Sequence, residues 1–336
     1  MLGSWIQSFL GRNHDLTQSG ARATPVLLSL GLGLSMLAVG PAAKAYTKGH
    51  VFVSTGVGTV IEYTPTGAAV NTLTGGSSYM TGSAFDSSGN FYVTNFGANT
   101  VRKYDPSGTS PGVLFGGGYS TPEMIVFDQS SNAYVGSIGG GIRKFDQAGG
   151  FLTSYSAPRV DFMDLAADQK TMLFTQEGSA VRRWDLATNS ELSPFSTQVE
   201  NAFALRILPN GSVLVADGAD IELLDSSGTQ IGSYDLNGAG LWFALNIDDS
   251  GTSFWSADTA GLVAEFDIAS GNLLNQWNSG GHNGTWGLSI FGEVTQGGGD
   301  PETNRVPGPL PMLGVAASFG FSRSLRKRVR LASAKA

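Results

Sequence analysis

The middle of the chain repeats itself with a step of about 40 residues, and a repeat of that length admits few folds. Its first mark is an apolar, usually aromatic residue, followed in most copies by aspartate. It occurs as Tyr63-Thr64, Tyr104-Asp105, Phe145-Asp146, Trp184-Asp185, Leu224-Asp225 and Phe266-Asp267. The steps between the six first residues are 41, 41, 39, 40 and 42. A second mark falls between them, as Phe85-Asp86, Phe127-Asp128, Ala167-Asp168, Leu208-Pro209, Ile247-Asp248 and Phe291-Gly292. Two independent ladders with one period do not arise by chance.

Each period reads as four short strands. In the second unit these are residues 81–85, 90–94, 100–104 and 112–115. The turns between them are Asp86-Ser87-Ser88-Gly89, Gly97-Ala98-Asn99 and Asp105-Pro106-Ser107-Gly108. Such residues supply positive φ or bonds from side chain to backbone. No long stretch of the middle region carries a 3.6-residue apolar period. Four strands in about 40–45 residues is the pattern of a propeller blade. The series opens on the second strand of a blade, with strands at 50–54, 59–63 and 68–73. Five full blades follow to Trp277, and a lone first-type strand at 285–291 ends the series. Three leading strands and one trailing strand complete a sixth blade and leave no open edge. The expectation is an all-β, six-bladed β-propeller over residues 46–295 with this three-plus-one closure, then a flexible linker over 296–305.

Composition agrees. The chain has 336 residues and 47 glycines without a triplet period, which excludes collagen. At 41% hydrophobic residues it can bury a large core. The absence of cysteine excludes disulfides, thiolate metal sites and a cysteine nucleophile.

The two ends read as addresses rather than as parts of the fold. Residues 1–45 carry Arg12 and Arg22, an uncharged apolar stretch over 26–39, then Ala43-Lys44-Ala45. This three-part order is that of a secretory signal, with cleavage after Ala45 and before Tyr46. An uncleaved anchor or a buried helix is the alternative. Residues 306–336 place Val306, Pro307, Gly308, Pro309, Leu310 and Pro311 before a short apolar run at 312–321. The basic residues Arg323, Arg326, Lys327, Arg328 and Arg330 follow. This predicts a short membrane helix with a basic stop on the cytoplasmic side and the main body outside. A basic amphipathic surface helix is the alternative.

The last segment resembles the PEP-CTERM sorting signal in its cyanobacterial subclass, with Pro307-Gly308-Pro309 where the parent motif has Pro-Glu-Pro. The resemblance implies recognition by an exosortase-type membrane enzyme, removal of the tail, and transfer to the cell envelope or beyond. The repeat itself resembles the YVTN and NHL-type propeller families. Tyr92-Val93-Thr94-Asn95, Asn99-Thr100-Val101 and Tyr104-Asp105 match the YVTN unit, while Asp86, Gly89-Asn90 and Tyr92-Val93 match the NHL-like turn and strand. That resemblance spans roughly residues 49–293 and implies a fold and an envelope setting, not an activity.

Catalytic groups are sparse. The histidines are His14 in the signal, His50 at a strand start and His282 in a Gly-rich loop. No phosphate loop or EF-hand loop is present. First-strand segments line a propeller's central channel, and here they carry Glu123, Asp161, Asp164, Glu200 and Asn201. Acids and an amide converging from three successive blades could hold calcium, a hard cation with oxygen ligands. The gluconolactonase-like propellers use a related set. Solvated rim residues or strand caps are the alternative. Trp242 and Trp286 also fall in first-strand positions, where they could stack on sugar rings. Packing against the next blade competes with that reading, since tryptophan is highly buried on average.

The leading expectation is an exported, non-catalytic binding or structural module of the envelope or extracellular matrix, with envelope polysaccharide as a candidate partner. The alternative is a metal-dependent, lactonase-like hydrolase using the channel acids. Residues 46–300 hold 10 basic and 25 acidic residues, far more acidic than the whole-chain net charge of −7. Such a surface repels nucleic acid and attracts cations.

Overall fold

The computed structural model describes residues 45–298. The signal segment through Lys44, the linker from residue 299, and the sorting and basic residues from Val306 to Arg330 lie outside the described residues. No helix among the described residues is long and apolar enough to cross a membrane.

Among the described residues, twenty-four strands form six four-stranded antiparallel sheets. The chain opens with β1 (Val51–Thr55), β2 (Val60–Tyr63) and β3 (Ala69–Leu73). The second blade is β4 (Met80–Phe85), β5 (Phe91–Asn95), β6 (Thr100–Tyr104) and β7 (Val113–Phe115). The third is β8 (Pro122–Phe127), β9 (Ala133–Ser137), β10 (Ile142–Phe145) and β11 (Phe151–Tyr155). The fourth is β12 (Met163–Leu165), β13 (Thr171–Phe174), β14 (Val181–Asp185) and β15 (Ser190–Ser196). The fifth is β16 (Leu205–Ile207), β17 (Val213–Ala216), β18 (Ile221–Leu224) and β19 (Gln230–Tyr234). The sixth is β20 (Trp242–Ile247), β21 (Ser253–Asp258), β22 (Leu262–Asp267) and β23 (Leu273–Asn278). The last strand, β24 (Thr285–Ile290), returns to the first sheet in the order β24-β1-β2-β3. Val51 lies opposite Ile290, Val53 opposite Leu288 and Ser54 opposite Gly287. The chain is an all-β, six-bladed propeller, closed three-plus-one as the strand count predicts.

Burial orders the strands within each blade. The innermost strands β4, β8, β12, β16 and β20 are buried along their whole length, whereas most of β11, β15 and β23 is exposed. Successive innermost strands touch one another around the ring, from β24 through β4, β8, β12, β16 and β20 back to β24. Gly287 and Gly82 allow this close approach, because a Cβ on either would strike the neighbouring strand's backbone at Thr81 and Glu123 respectively.

The first sequence ladder has a direct physical cause. Tyr63, Tyr104, Phe145, Trp184, Leu224 and Phe266 are all buried near the end of a blade's third strand. The aspartate that follows closes the next turn. Asp105 Oδ1 accepts bonds from Ser107 N and Thr109 N, Asp146 from Ala148 N and Gly150 N, and Asp225 from Ser227 N and Thr229 N. In the first blade Thr64 Oγ1 takes over by accepting from Ala68 N. The second ladder slips in places. The buried residue that ends the innermost strand is Leu165 in the fourth blade, not the exposed Ala167. The turn there runs from Ala166 N to Thr171 O, one residue longer than from Asp86 N to Asn90 O.

Two faces result. Turns from first to second strand and from third to fourth strand share the lower face. Second-to-third hairpins and the entries to the innermost strands share the upper face. At the lower end the chain does not leave the propeller at Thr295. Gln169 Nε2 donates to Gln296 O at 3.1 Å, and Gly297 and Gly298 lie against Phe127 and Asp128. The segment expected to start the linker at 296 is therefore seated on the blades through Gly298.

Asp86 is fully buried and accepts from Ser88 N, Asn90 N, Asn90 Nδ2 and Tyr92 Oη. Replacing it by alanine removes the acceptor of the buried Tyr92 hydroxyl and of three part-buried N–H donors. Asp86→Ala is expected to lower unfolding free energy by about 2–4 kcal/mol, against less than about 1 kcal/mol for Asp225→Ala in an exposed turn. Urea unfolding of the two variants checks this.

Candidate functional site

The five polar residues expected at a channel metal fall into three places. Glu123 on β8 and Asp161 just ahead of β12 meet near the upper face. Both are buried, at 6% and 2% exposure. Arg159 reaches over them from the preceding loop. Its Nε donates to Asp161 Oδ1 at 2.8 Å and to Oδ2 at 3.0 Å, and its other end pairs with Glu177 Oε2 at 2.6 Å. Glu123 Oε2 is buried without a hydrogen-bond partner. Burial, and then the Asp161 and Glu177 charges, push the Glu123 carboxyl well above the ordinary carboxylate range, with Arg159 opposing. Burial likewise lifts Asp161 to about 6 against the pull of Arg159. The guanidinium thus sits where a cation would sit between Asp161 and Glu177. A metal there would have to displace it.

Asp164 is elsewhere. It points toward the lower mouth, where a small cavity is bordered by Val126, Arg206, Glu293, Thr295 and Gly298. Its Oδ2 accepts from Ile207 N of the next blade at 2.9 Å, and its Oδ1 from Leu165 N. It belongs to a ring of polar bonds around the axis, most of them between innermost strands. Ser83 Oγ and Ser289 Oγ are 2.6 Å apart, Thr94 Oγ1 donates to Glu123 O, and Arg206 Nε donates to Asn246 Oδ1. Asn246 Nδ2 in turn donates to Leu288 O. Each such bond satisfies a polar group that burial would otherwise penalise.

Glu200 and Asn201 mark a different cluster, which the reading of the innermost strands passes over. Their backbone N–H groups donate to Asp217 Oδ2 at 2.8 Å and Oδ1 at 2.5 Å. Asp217 starts the hairpin between β17 and β18, and Asp217 N donates to Asp220 O to close it. One carboxylate oxygen each from Asp217, Asp220 and Glu222 lies within 4.8 Å of the other two. Glu222 is 6% exposed, and its Oε2 has no hydrogen-bond partner. Burial, the charges of Asp217 and Asp220, a side-chain hydrogen bond with Asp217, and the Glu200 charge lift the Glu222 carboxyl to about 7. Burial, Asp217 and Asp235 raise Asp220 as well. The signal was present in the sequence as Asp217-Gly218-Ala219-Asp220-Ile221-Glu222, three acids within six residues.

The two tryptophans differ. Trp242 is fully buried, and its Nε1 donates to Asp235 Oδ1 at 2.9 Å. It packs the interior and offers no face to a sugar, contrary to the ligand-binding expectation. Trp286 is half-buried on the upper face, with ring centroids 5.5 Å from Tyr79 and 5.2 Å from Phe243. Tyr79 is 39% exposed. His50 is structural, since its Nδ1 lies 2.6 Å from the buried Glu62 Oε1. His282 is exposed in the loop before β24.

The chain matches no family model and no curated protein.

The Glu123 carboxyl yields a pH prediction. Its folded value lies above the ordinary 4.5, so the native state keeps a proton that the unfolded chain gives up. Its contribution to stability therefore falls as pH rises from the ordinary value through the raised one. Glu123→Gln, which resembles the protonated acid, is expected to melt like the parent at about pH 4 and higher than the parent at about pH 8. Calorimetric melting at the two pH values checks the sign.

Proposed function

We propose that this chain is an exported β-propeller that works as a binding or structural module of the cell envelope or extracellular matrix. The observation that carries the reading is the packing of Tyr46, the residue that follows the expected cut. Ala45 is exposed, whereas the next residue, Tyr46, is buried against Phe52 and Phe85 at centroid distances of 5.0 and 5.8 Å. The sequence pattern puts a secretory cut between these two residues. A chain cut there would begin with a side chain that the propeller buries. The sorting-type tail, with Val306-Pro307-Gly308-Pro309 ahead of an apolar run and a basic stop, supports delivery through an exosortase-type enzyme and transient membrane attachment. The acidity of residues 46–300 supports a soluble surface that disfavours nucleic acid.

A non-catalytic role is favoured over the lactonase-like one because Arg159 already pairs with Asp161, and Asp164 and Glu200 lie apart from that pair instead of converging on one site. Trp286 beside the exposed Tyr79 gives the upper face an aromatic pair suited to a polysaccharide.

Fractionation of source cells, with intact-mass analysis of the recovered chain, tests the export reading. The expected product sits in the envelope or medium and begins at Tyr46, and deletion of residues 306–336 abolishes its envelope retention. A cytoplasmic chain retaining Met1 overturns the reading. For the ligand, Trp286→Ala is expected to weaken binding to the cell's own extracellular polymer by about tenfold, as loss of one stacking face implies. Co-sedimentation with that polymer measures it.

A further inference from the structure

We propose that Asp217, Asp220 and Glu222, on the β17–β18 hairpin of the fifth blade, bind a calcium ion. The inference stands on this hairpin alone and does not depend on the export reading.

Donor chemistry comes first. All three side chains offer carboxylate oxygen, the ligand type of hard cations. Calcium–oxygen bonds of about 2.3–2.6 Å put ligands across the ion about 4.6–5.2 Å apart. The three carboxylate oxygens fall within 4.8 Å of one another. That spacing is compatible with one ion touching all three.

Glu222 supplies an independent observation. It is 6% exposed, and its buried Oε2 has no donor. An acid left so is costly unless something positive meets it. The repeat shows that no structural need puts an acid there. The residue two positions before the buried third-strand anchor is Arg102 in the second blade, Arg143 in the third and Arg182 in the fourth. Before Leu224 it is Glu222. The fifth blade has reversed the charge at a position that three sibling blades keep basic. It has also placed Asp217 and Asp220 within reach of the reversed charge.

The first ligand is held in place by the fold. Asp217 is gripped by Glu200 N and Asn201 N, one to each oxygen. Gly218 O accepts from Trp242 N at 2.8 Å, which ties the same turn to the entry of the sixth blade. An ion at the hairpin would thus join the two loop entries that lead into β16 and β20.

Titration of the chelator-treated full chain with calcium chloride, by calorimetry and by melting, tests this. The expected result is one calcium site, a higher melting temperature with calcium than with chelator, and weaker binding of magnesium. Glu222→Gln and Asp220→Asn are each expected to weaken calcium binding by about tenfold or more, as loss of one charged ligand implies. Glu123→Gln leaves it unchanged. Melting in chelator reports whether Glu222→Gln folds. If it does not, Asp220→Asn, at a less buried position on the same hairpin, decides. Absence of calcium binding by the parent chain overturns the proposal. So does parental affinity in the folded hairpin variants, loss of binding in Glu123→Gln, or binding of magnesium in preference to calcium.

Discussion

The pairing of β24 with β1 is the constraint on which the rest of the ring depends. Without it the first sheet has three strands and no innermost member, and the ring gapes between β20 and β4. Both of those strands would then lose a neighbour that they touch along the axis. The five residue pairs from Val51–Ile290 to Thr55–Thr285 convert a row of repeats into a closed object. A row of blades is stabilised mostly by nearest neighbours, so it can fray from either end. Closure removes both ends at once. It also lets Ser289 meet Ser83, and Leu288 O accept from Asn246, so that the polar ring around the axis runs across the seam.

The architecture was legible because its causes are local and repeated. An aromatic residue buried between blades and an aspartate folded back on its own turn recur wherever a third strand ends. Neither needs distant information to be recognised. The second ladder was less legible in the fourth blade, where a longer turn moved Asp168 away from Leu165, the residue that is actually buried. The site was harder still. Glu123 and Asp164 lie on innermost strands and Asp161 just ahead of one, but placement along the chain cannot reveal which of them already has a partner. Arg159 claims Asp161 from two residues away, and Ile207 N claims Asp164 from another blade. Trp242 looked equivalent to Trp286 in sequence. The bond to Asp235 and the Gly218 turn fold the first inward, while the loop through Asn283 keeps the second at the surface.

Three buried acids show three ways of carrying a carboxylate through this fold. Asp86 is saturated by four donors from its own turn and strand, so its charge is solvated by the protein itself. Asp161 is answered by a guanidinium that bonds both of its oxygens. Glu222 has neither, and its strongest electrostatic neighbours share its sign. The first two arrangements are complete as they stand. The third assembles like charges at a position where three sibling blades carry arginine.

The two ends of the described chain emerge on the same side. Tyr46 N bonds Pro106 O in a third-to-fourth-strand turn, and Gly298 rests on Asp128 in a first-to-second-strand turn. Both turns belong to the lower face, whereas the Asp217 hairpin, Glu177, Trp286 and Tyr79 belong to the upper one. Whatever holds such a molecule by either terminus holds it like a button by its shank. The acidic hairpin and the aromatic pair then lie on the face opposite the two described ends.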